Sequence, residues 1–201
     1  MATCRVTARC PGRTSFACRV VALSAYGVAA VFLLAACGGS SRKASGTSTT
    51  QPLAAKLERA GPNPSASAKM VCAKEARVEI AASLGLHETR VTEPTWNDHV
   101  YSCTYVYPKG SITLSVKELV SAQATTDYFN SLAGKLGRAS PLIGLGQGGF
   151  IANNGDAIVR KDYKVLHVDV HAIPEQFLPV MRRSDVAQNI TVVIMGCWPG
   201  A

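Results

Sequence analysis

Residues 99–116 read HVYSCTYVYPKGSITLSV, and this stretch decides the fold. From His99 to Tyr107 the chain alternates, which sets Tyr101, Cys103, Tyr105 and Tyr107 on one side of a strand. Pro108-Lys109-Gly110-Ser111 has turn chemistry, and Ile112, Leu114 and Val116 then share one face of the next strand. Two half-buried strands joined by a short turn make an antiparallel hairpin. A hairpin is marginal alone, so its apolar face needs a cover.

Covers stand on both sides of the hairpin. Upstream, residues 69–84 predict a helix, because Cys72, Ala76, Ile80 and Leu84 recur every four residues while Lys74, Glu75, Arg77 and Glu79 point elsewhere. Gly85 stops it, and a loop with Pro94 follows. Downstream, residues 122–136 predict a second helix, capped by Ser121, with Thr125, Tyr128, Phe129, Leu132 and Leu136 as its apolar stripe. Lys135 and Arg138 at its end suit the helix dipole.

After a Gly-rich loop come three strand candidates, over residues 149–152, 157–161 and 164–172, with Asn153-Asn154-Gly155 as a hairpin turn. Residues 185–197 read two ways. Val186, Ile190, Val193 and Cys197 fit a helix stripe with Ser184 as cap, whereas residues 190–195 are β-branched enough for a buried strand. Helix is the preferred reading. The order α-β-β-α-β-β-β-α predicts a single α+β domain over residues 69–201, an antiparallel sheet with its helices packed on one face.

Ahead of this domain, residues 40–67 are dominated by Ser, Thr, Gly, Pro and Ala, with Leu53 and Leu57 as the sizeable apolar side chains. Such a segment cannot bury enough surface to offset its ordering entropy, so residues 37–68 are assigned to a disordered tether. Random-coil scaling gives it a reach of roughly 30 Å.

The start of the chain reads as an address. Residues 1–19 hold Arg5, Arg9, Arg13 and Arg19 and no acid, and residues 20–36 then run VVALSAYGVAAVFLLAA without a charge. A basic region followed by an apolar one is a secretory signal, here over residues 1–36. The apolar run is short for a permanent span and too uniform for an amphipathic core helix. No Arg pair precedes it, which favours general secretion over the twin-arginine route.

Charge excludes one class of partner. The chain carries 21 Lys and Arg against 13 Asp and Glu, a formal +8. Four of those bases lie in the signal, which leaves +4 on residues 37–201. That is an ordinary surface, and with aromatics at 6% there is no footprint for nucleic acid.

Cysteine arithmetic comes next. Cys4, Cys10 and Cys18 fall in the signal, so the mature chain keeps Cys37, Cys72, Cys103 and Cys197. With Cys37 acylated, three remain, enough for one bridge and a spare thiol. A first helix packed on its own hairpin favours Cys72 with Cys103, worth about 3–4 kcal/mol in the chain-entropy model. Cys197 with either of them stays open. No CxxC spacing supports a cysteine metal site.

Two further constellations stand out. Gly144-Leu145-Gly146-Gln147-Gly148-Gly149 matches G-x-G-x-x-G, but a helix precedes it and a strand follows, the wrong setting for a dinucleotide. It reads as a tight loop needing positive φ, and no cofactor is expected. In His167-Val168-Asp169-Val170-His171, alternation sets His167, Asp169 and His171 on one strand face. Neighbours there are about 6.8 Å apart, so His167 and Asp169, or Asp169 and His171, could share a metal. The plainer reading is the solvent face of a half-buried strand. No G-x-S-x-G, H-E-x-x-H or well-placed S-x-x-K motif is present, and the chain is read as a non-enzyme.

Leu34-Ala35-Ala36-Cys37, at the end of the apolar run, resembles the lipobox of bacterial lipoproteins, in which the Cys thiol takes a diacylglycerol and becomes the mature N-terminus. With its polar tether, Cys72 and Leu84-Gly85 in the first helix, Cys103-Thr104-Tyr105 in the first strand and Leu142-Ile143-Gly144-Leu145-Gly146 after the second helix, the chain resembles small envelope lipoproteins of actinobacteria. Many of those are grouped only as domains of unknown function. A looser likeness is to extracytoplasmic sensor domains of actinobacterial membrane kinases. The first resemblance implies an α+β fold, often with one disulfide from first helix to first strand. It implies a location on the outer face of the cell membrane, anchored in the bilayer through Cys37, and a non-catalytic domain that binds an envelope protein, glycan or lipid. The alternatives are a small-ligand carrier or sensor, with a pocket near residues 144–149, and a metal-binding or hydrolytic protein using His167, Asp169 and His171.

Overall fold

The computed structural model describes residues 58–198. The expected signal of residues 1–36, Cys37 and the first part of the expected tether lie outside the described residues.

The long first helix is broken in two. It begins as α1 (Ala66–Lys69), tightens into a 3-10 turn (Met70–Cys72) and restarts as α2 (Lys74–Leu84). The break falls at Ala73, whose backbone is extended. Periodicity cannot see it, because Ala76, Ile80 and Leu84 still share a buried face. The sheet holds the turn in place: the Tyr105 hydroxyl donates to the Val71 carbonyl at 2.7 Å. Gly85 closes α2 in the left-handed region at φ 63°.

The hairpin follows two short strands. β1 (Arg90–Val91) and β2 (Thr95–Asn97) both pair with β3 (Val100–Tyr107), and β3 pairs with β4 (Gly110–Glu118). α3 (Ala122–Leu136) starts at Ser121, whose hydroxyl accepts from the Ala124 amide. β5 (Ser140–Pro141), β6 (Gly148–Ile151), β7 (Ala157–Lys161) and β8 (Lys164–Asp169) complete the sheet. β9 (Gln176–Leu178) and β10 (Met181–Arg182) form a separate ribbon leading into α4 (Arg183–Cys197). The last segment is therefore the helix and not the strand.

Strands run in the order β1-β3-β4-β8-β7-β6-β5, with β2 beside β3, and every pairing is antiparallel. The first hairpin and the β6–β7–β8 meander join where β4 meets β8, with Leu114 opposite Val168 and Val116 opposite Leu166. The fold is a single α+β domain, with the short strands β1, β2, β5, β9 and β10 added to the expected order.

One part of the expected architecture is corrected. The helices do not all pack on one face. Leu114, Val116, Val159, Leu166 and Val168 meet Ile80 and Leu84 of α2 and Ile190 and Ile194 of α4 in the main core. Phe150, Ile158 and Val165 point to the other face and meet Phe129 of α3 in a second cluster. The physical reason is visible in the strands. Ala157-Ile158-Val159 and Val165-Leu166 are buried at consecutive positions, which a strand covered on one side would not need. Each such buried Leu, Ile or Phe contributes about 1.5–3 kcal/mol, enough to hold a helix on each side.

A second correction concerns the tether. Residues 58–68, assigned to it by composition, lie against the domain. Ala60 donates to the Leu119 carbonyl at 3.0 Å, Trp96 Nε1 to the Pro62 carbonyl at 3.0 Å and Lys164 Nζ to the Glu58 carbonyl at 2.8 Å. This segment is fixed by hydrogen bonds to partners far along the chain, which apolar content does not register.

Candidate functional site

The site grows from the β7–β8 hairpin. Asp162, at φ 56°, turns β7 into β8 and pairs Lys161 with Lys164. That register sets Ile158 opposite His167 and Ala157 opposite Val168. The residue before β7, Asp156, thereby comes beside Asp169. At the other end of β7, the Asn153-Asn154-Gly155 turn delivers Asp156, with Gly155 at φ 93° and the Ala152 amide donating to the Asp156 carbonyl at 2.8 Å.

Asp156 is almost fully buried. One carboxylate oxygen accepts from the Val170 amide at 2.9 Å. The other accepts from Asn154 Nδ2 at 2.8 Å and lies 2.9 Å from His167 Nε2. Burial alone would raise this carboxyl, but the hydrogen bonds from His167, Val170 and Asn154 outweigh it and hold the group below the usual range. His167 and Asp169 project from β8 on the same sheet face and stay half-buried.

His171 does not join them as a third member of one strand face. β8 ends at Asp169, and the chain turns there, with Ile173 donating back to Val170. The exposed His171 ring folds back onto Asp169 Oδ1 through Nδ1, and its amide donates to the same oxygen at 3.0 Å. That hydrogen bond and the Asp169 charge raise the His171 imidazole above its ordinary range. Of the two pairs that alternation offered, His167 with Asp169 and Asp169 with His171, the structure adds Asp156 to the first, and the ligand-bearing atoms of Asp156, His167 and Asp169 all lie within 4.8 Å of one another. Sequence reasoning missed Asp156. The two-residue turn at Asp162-Tyr163 carried the signal, since it fixes the hairpin register.

The surrounding surface is polar. Ser115 faces His167 and Thr113 faces Asp169 across β4–β8, and Thr104 bonds Thr113 at 3.0 Å through their hydroxyls. These side chains stay half-buried, while α3 lies over β7 and β8. Elsewhere, Gly144 (φ 79°) and Gly146 (φ 58°) shape a loop on β7, where Gln147 donates to the Arg160 carbonyl at 2.9 Å. A strand follows this loop, so no helix N-terminus faces a phosphate there. An open groove of about 510 Å³ does lie at this loop, between Leu145, Lys161, Val192 and Met195.

Cys72 and Cys103 form a disulfide with a Cα–Cα distance of 6.0 Å, joining the 3-10 turn to β3. Cys197, at the end of α4, is not left as a bare thiol, so the spare thiol of the cysteine count is not found there.

Compared with family models, curated proteins and solved structures, the chain shows no match.

Proposed function

We propose that the chain is a lipoprotein of the bacterial cell envelope. Cys37, carrying a diacylglycerol, holds it in the outer face of the cell membrane, and the folded domain acts by binding an envelope protein, glycan or lipid rather than by catalysis. The observation that carries this reading is the Cys72–Cys103 disulfide, whose Cys103 side is buried. Such bridges persist in oxidising compartments, which is where the basic and apolar head of the chain directs it. No helix among the described residues is long and apolar enough to cross a membrane. Acylation at Cys37 supplies membrane residence without one, since two acyl chains hold stably where one does not. The hydroxyl-lined sheet face and the open groove at Gly144–Gly146 favour surface binding over an enclosed carrier pocket.

Metabolic labelling with a fatty acid tests the anchor. The wild-type chain is expected to take label and to fractionate with membranes, and Cys37→Ala to lose both. Label on Cys37→Ala, or none on wild type, overturns the anchor. Screening against generic esterase, phosphatase and peptidase substrates tests the non-catalytic reading, with background rates expected. A rate that survives repurification but disappears in His167→Ala overturns it.

A further inference from the structure

We propose that Asp156, His167 and Asp169 form a binding site for a divalent transition-metal ion, with zinc the best match, and that one coordination position opens to solvent. The proposal stands independently of how the chain is anchored.

Geometry comes first. Three candidate ligand atoms already lie within 4.8 Å of one another. Ligands at zinc distances of about 2.0–2.2 Å stand roughly 3.5 Å apart at tetrahedral angles. Binding an ion draws these atoms together from within 4.8 Å toward that spacing. His167 Nε2 and Asp156 Oδ2 are now 2.9 Å apart in a hydrogen bond, which an ion bound to both replaces, its proton leaving to solvent.

The supporting shell is also in place. Ligating carboxylates are oriented by outer hydrogen bonds. Asp156 is fixed by the Val170 amide and Asn154 Nδ2, both outside the ligand set. Asp169 is fixed through Oδ1 by the His171 amide and ring, which leaves Oδ2 for the ion. His171 is thus a positioning residue and not a ligand.

Chemistry selects the ion. Two carboxylates and a neutral imidazole give a donor set of charge −2, which neutralises a divalent cation. Calcium takes 6–8 oxygen ligands and magnesium an octahedral oxygen shell, whereas an imidazole with two carboxylates suits zinc. The His167 and Asp169 side chains are 24% and 26% exposed and Asp156 is 2% exposed, so the ion is held from below and approached from the open face. Three protein ligands with a solvent position is the arrangement in which zinc binds a water or an exogenous donor. Thr113 and Ser115, opposite Asp169 and His167, line that approach.

The test is titration of the purified, chelator-stripped full chain with Zn²⁺ alone, competed against a chromophoric chelator. One Zn²⁺ per chain is expected at this site. His167→Gln and Asp169→Asn alter half-exposed side chains and are expected to weaken binding at least tenfold. His171→Ala is expected to weaken it by less than either. Binding unchanged in both His167→Gln and Asp169→Asn, or no stoichiometric uptake, overturns the proposal. A loss in His171→Ala equal to that in His167→Gln overturns the ligand assignment in favour of His171. X-ray absorption at the zinc edge supplies a readout independent of affinity. One imidazole with oxygen neighbours is expected, and sulfur in the shell overturns the site.

Discussion

Ser65 is bound to Glu118, fifty-three residues away, by two hydrogen bonds to the same carboxylate oxygen, one from its amide at 3.1 Å and one from its hydroxyl. The same hydroxyl accepts from the Ala68 amide at 3.2 Å and so caps α1. Lys164, directly opposite Glu118 across β4–β8, holds the Glu58 carbonyl. Two buried ionisable groups at one end of the sheet thus fasten the chain as it enters the domain. Glu118→Ala is expected to cost about 1–3 kcal/mol, since it leaves the half-buried amide and hydroxyl of Ser65 without their acceptor. Ser65→Ala should cost about 1 kcal/mol, in keeping with loss of a helix cap. Hydrogen exchange should show residues 58–68 opening in Glu118→Ala while the sheet stays protected.

Cys72 and Cys103 close a loop across 31 positions of sequence. The Cys72→Ala/Cys103→Ala double variant is expected to lose about 2–5 kcal/mol, read as a lower urea midpoint. Non-reducing peptide mapping of the wild type should return the Cys72–Cys103 peptide pair.

Two glycines at turns should respond differently to the same substitution. A Cβ at Gly85 meets nothing within 4 Å, so Gly85→Ala incurs only left-handed backbone strain, about 1–2 kcal/mol. A Cβ at Gly110, at φ 133°, would lie 2.1 Å from the Ala172 carbonyl oxygen. Gly110→Ala must push the β3–β4 turn away from the segment after β8, and a loss above about 3 kcal/mol is expected. Thermal melts of the pair check the ranking.

Lys117 Nζ binds Asp98 Oδ2 at 2.8 Å. That hydrogen bond and the lysine charge hold the Asp98 carboxyl below its ordinary value. A carboxyl depressed in the folded state contributes stability above its unfolded pKa of about 3.9, and the contribution is lost as pH falls through the folded value. NMR titration should find Asp98 below the usual aspartate range and returned toward it in Lys117→Met.

The sequence by itself determined the hairpin of residues 99–116, the capped helix after it and the α+β class, because each rests on local periodicity and turn chemistry; the last segment read two ways, and the structure decided for the helix. The pattern at His167 and Asp169 was legible for the same reason, since alternation along one strand is a local property. Only the tertiary structure decided which faces the helices cover. The stripe of α3 says that it is apolar on one side, not which side of the sheet it meets; Phe129 against Phe150 and Ile158 settles that. It also decided the fate of residues 58–68, held by Glu118 and Lys164 from more than fifty positions away. The third member of the polar cluster was decided in the same way. Asp156 lies eleven residues before His167, and it reaches Asp169 only because a two-residue turn at Asp162-Tyr163 sets the strands in register. Local pattern records what a side chain is and which way its own element points it. Partners brought together by register and packing become visible only when the chain closes on itself.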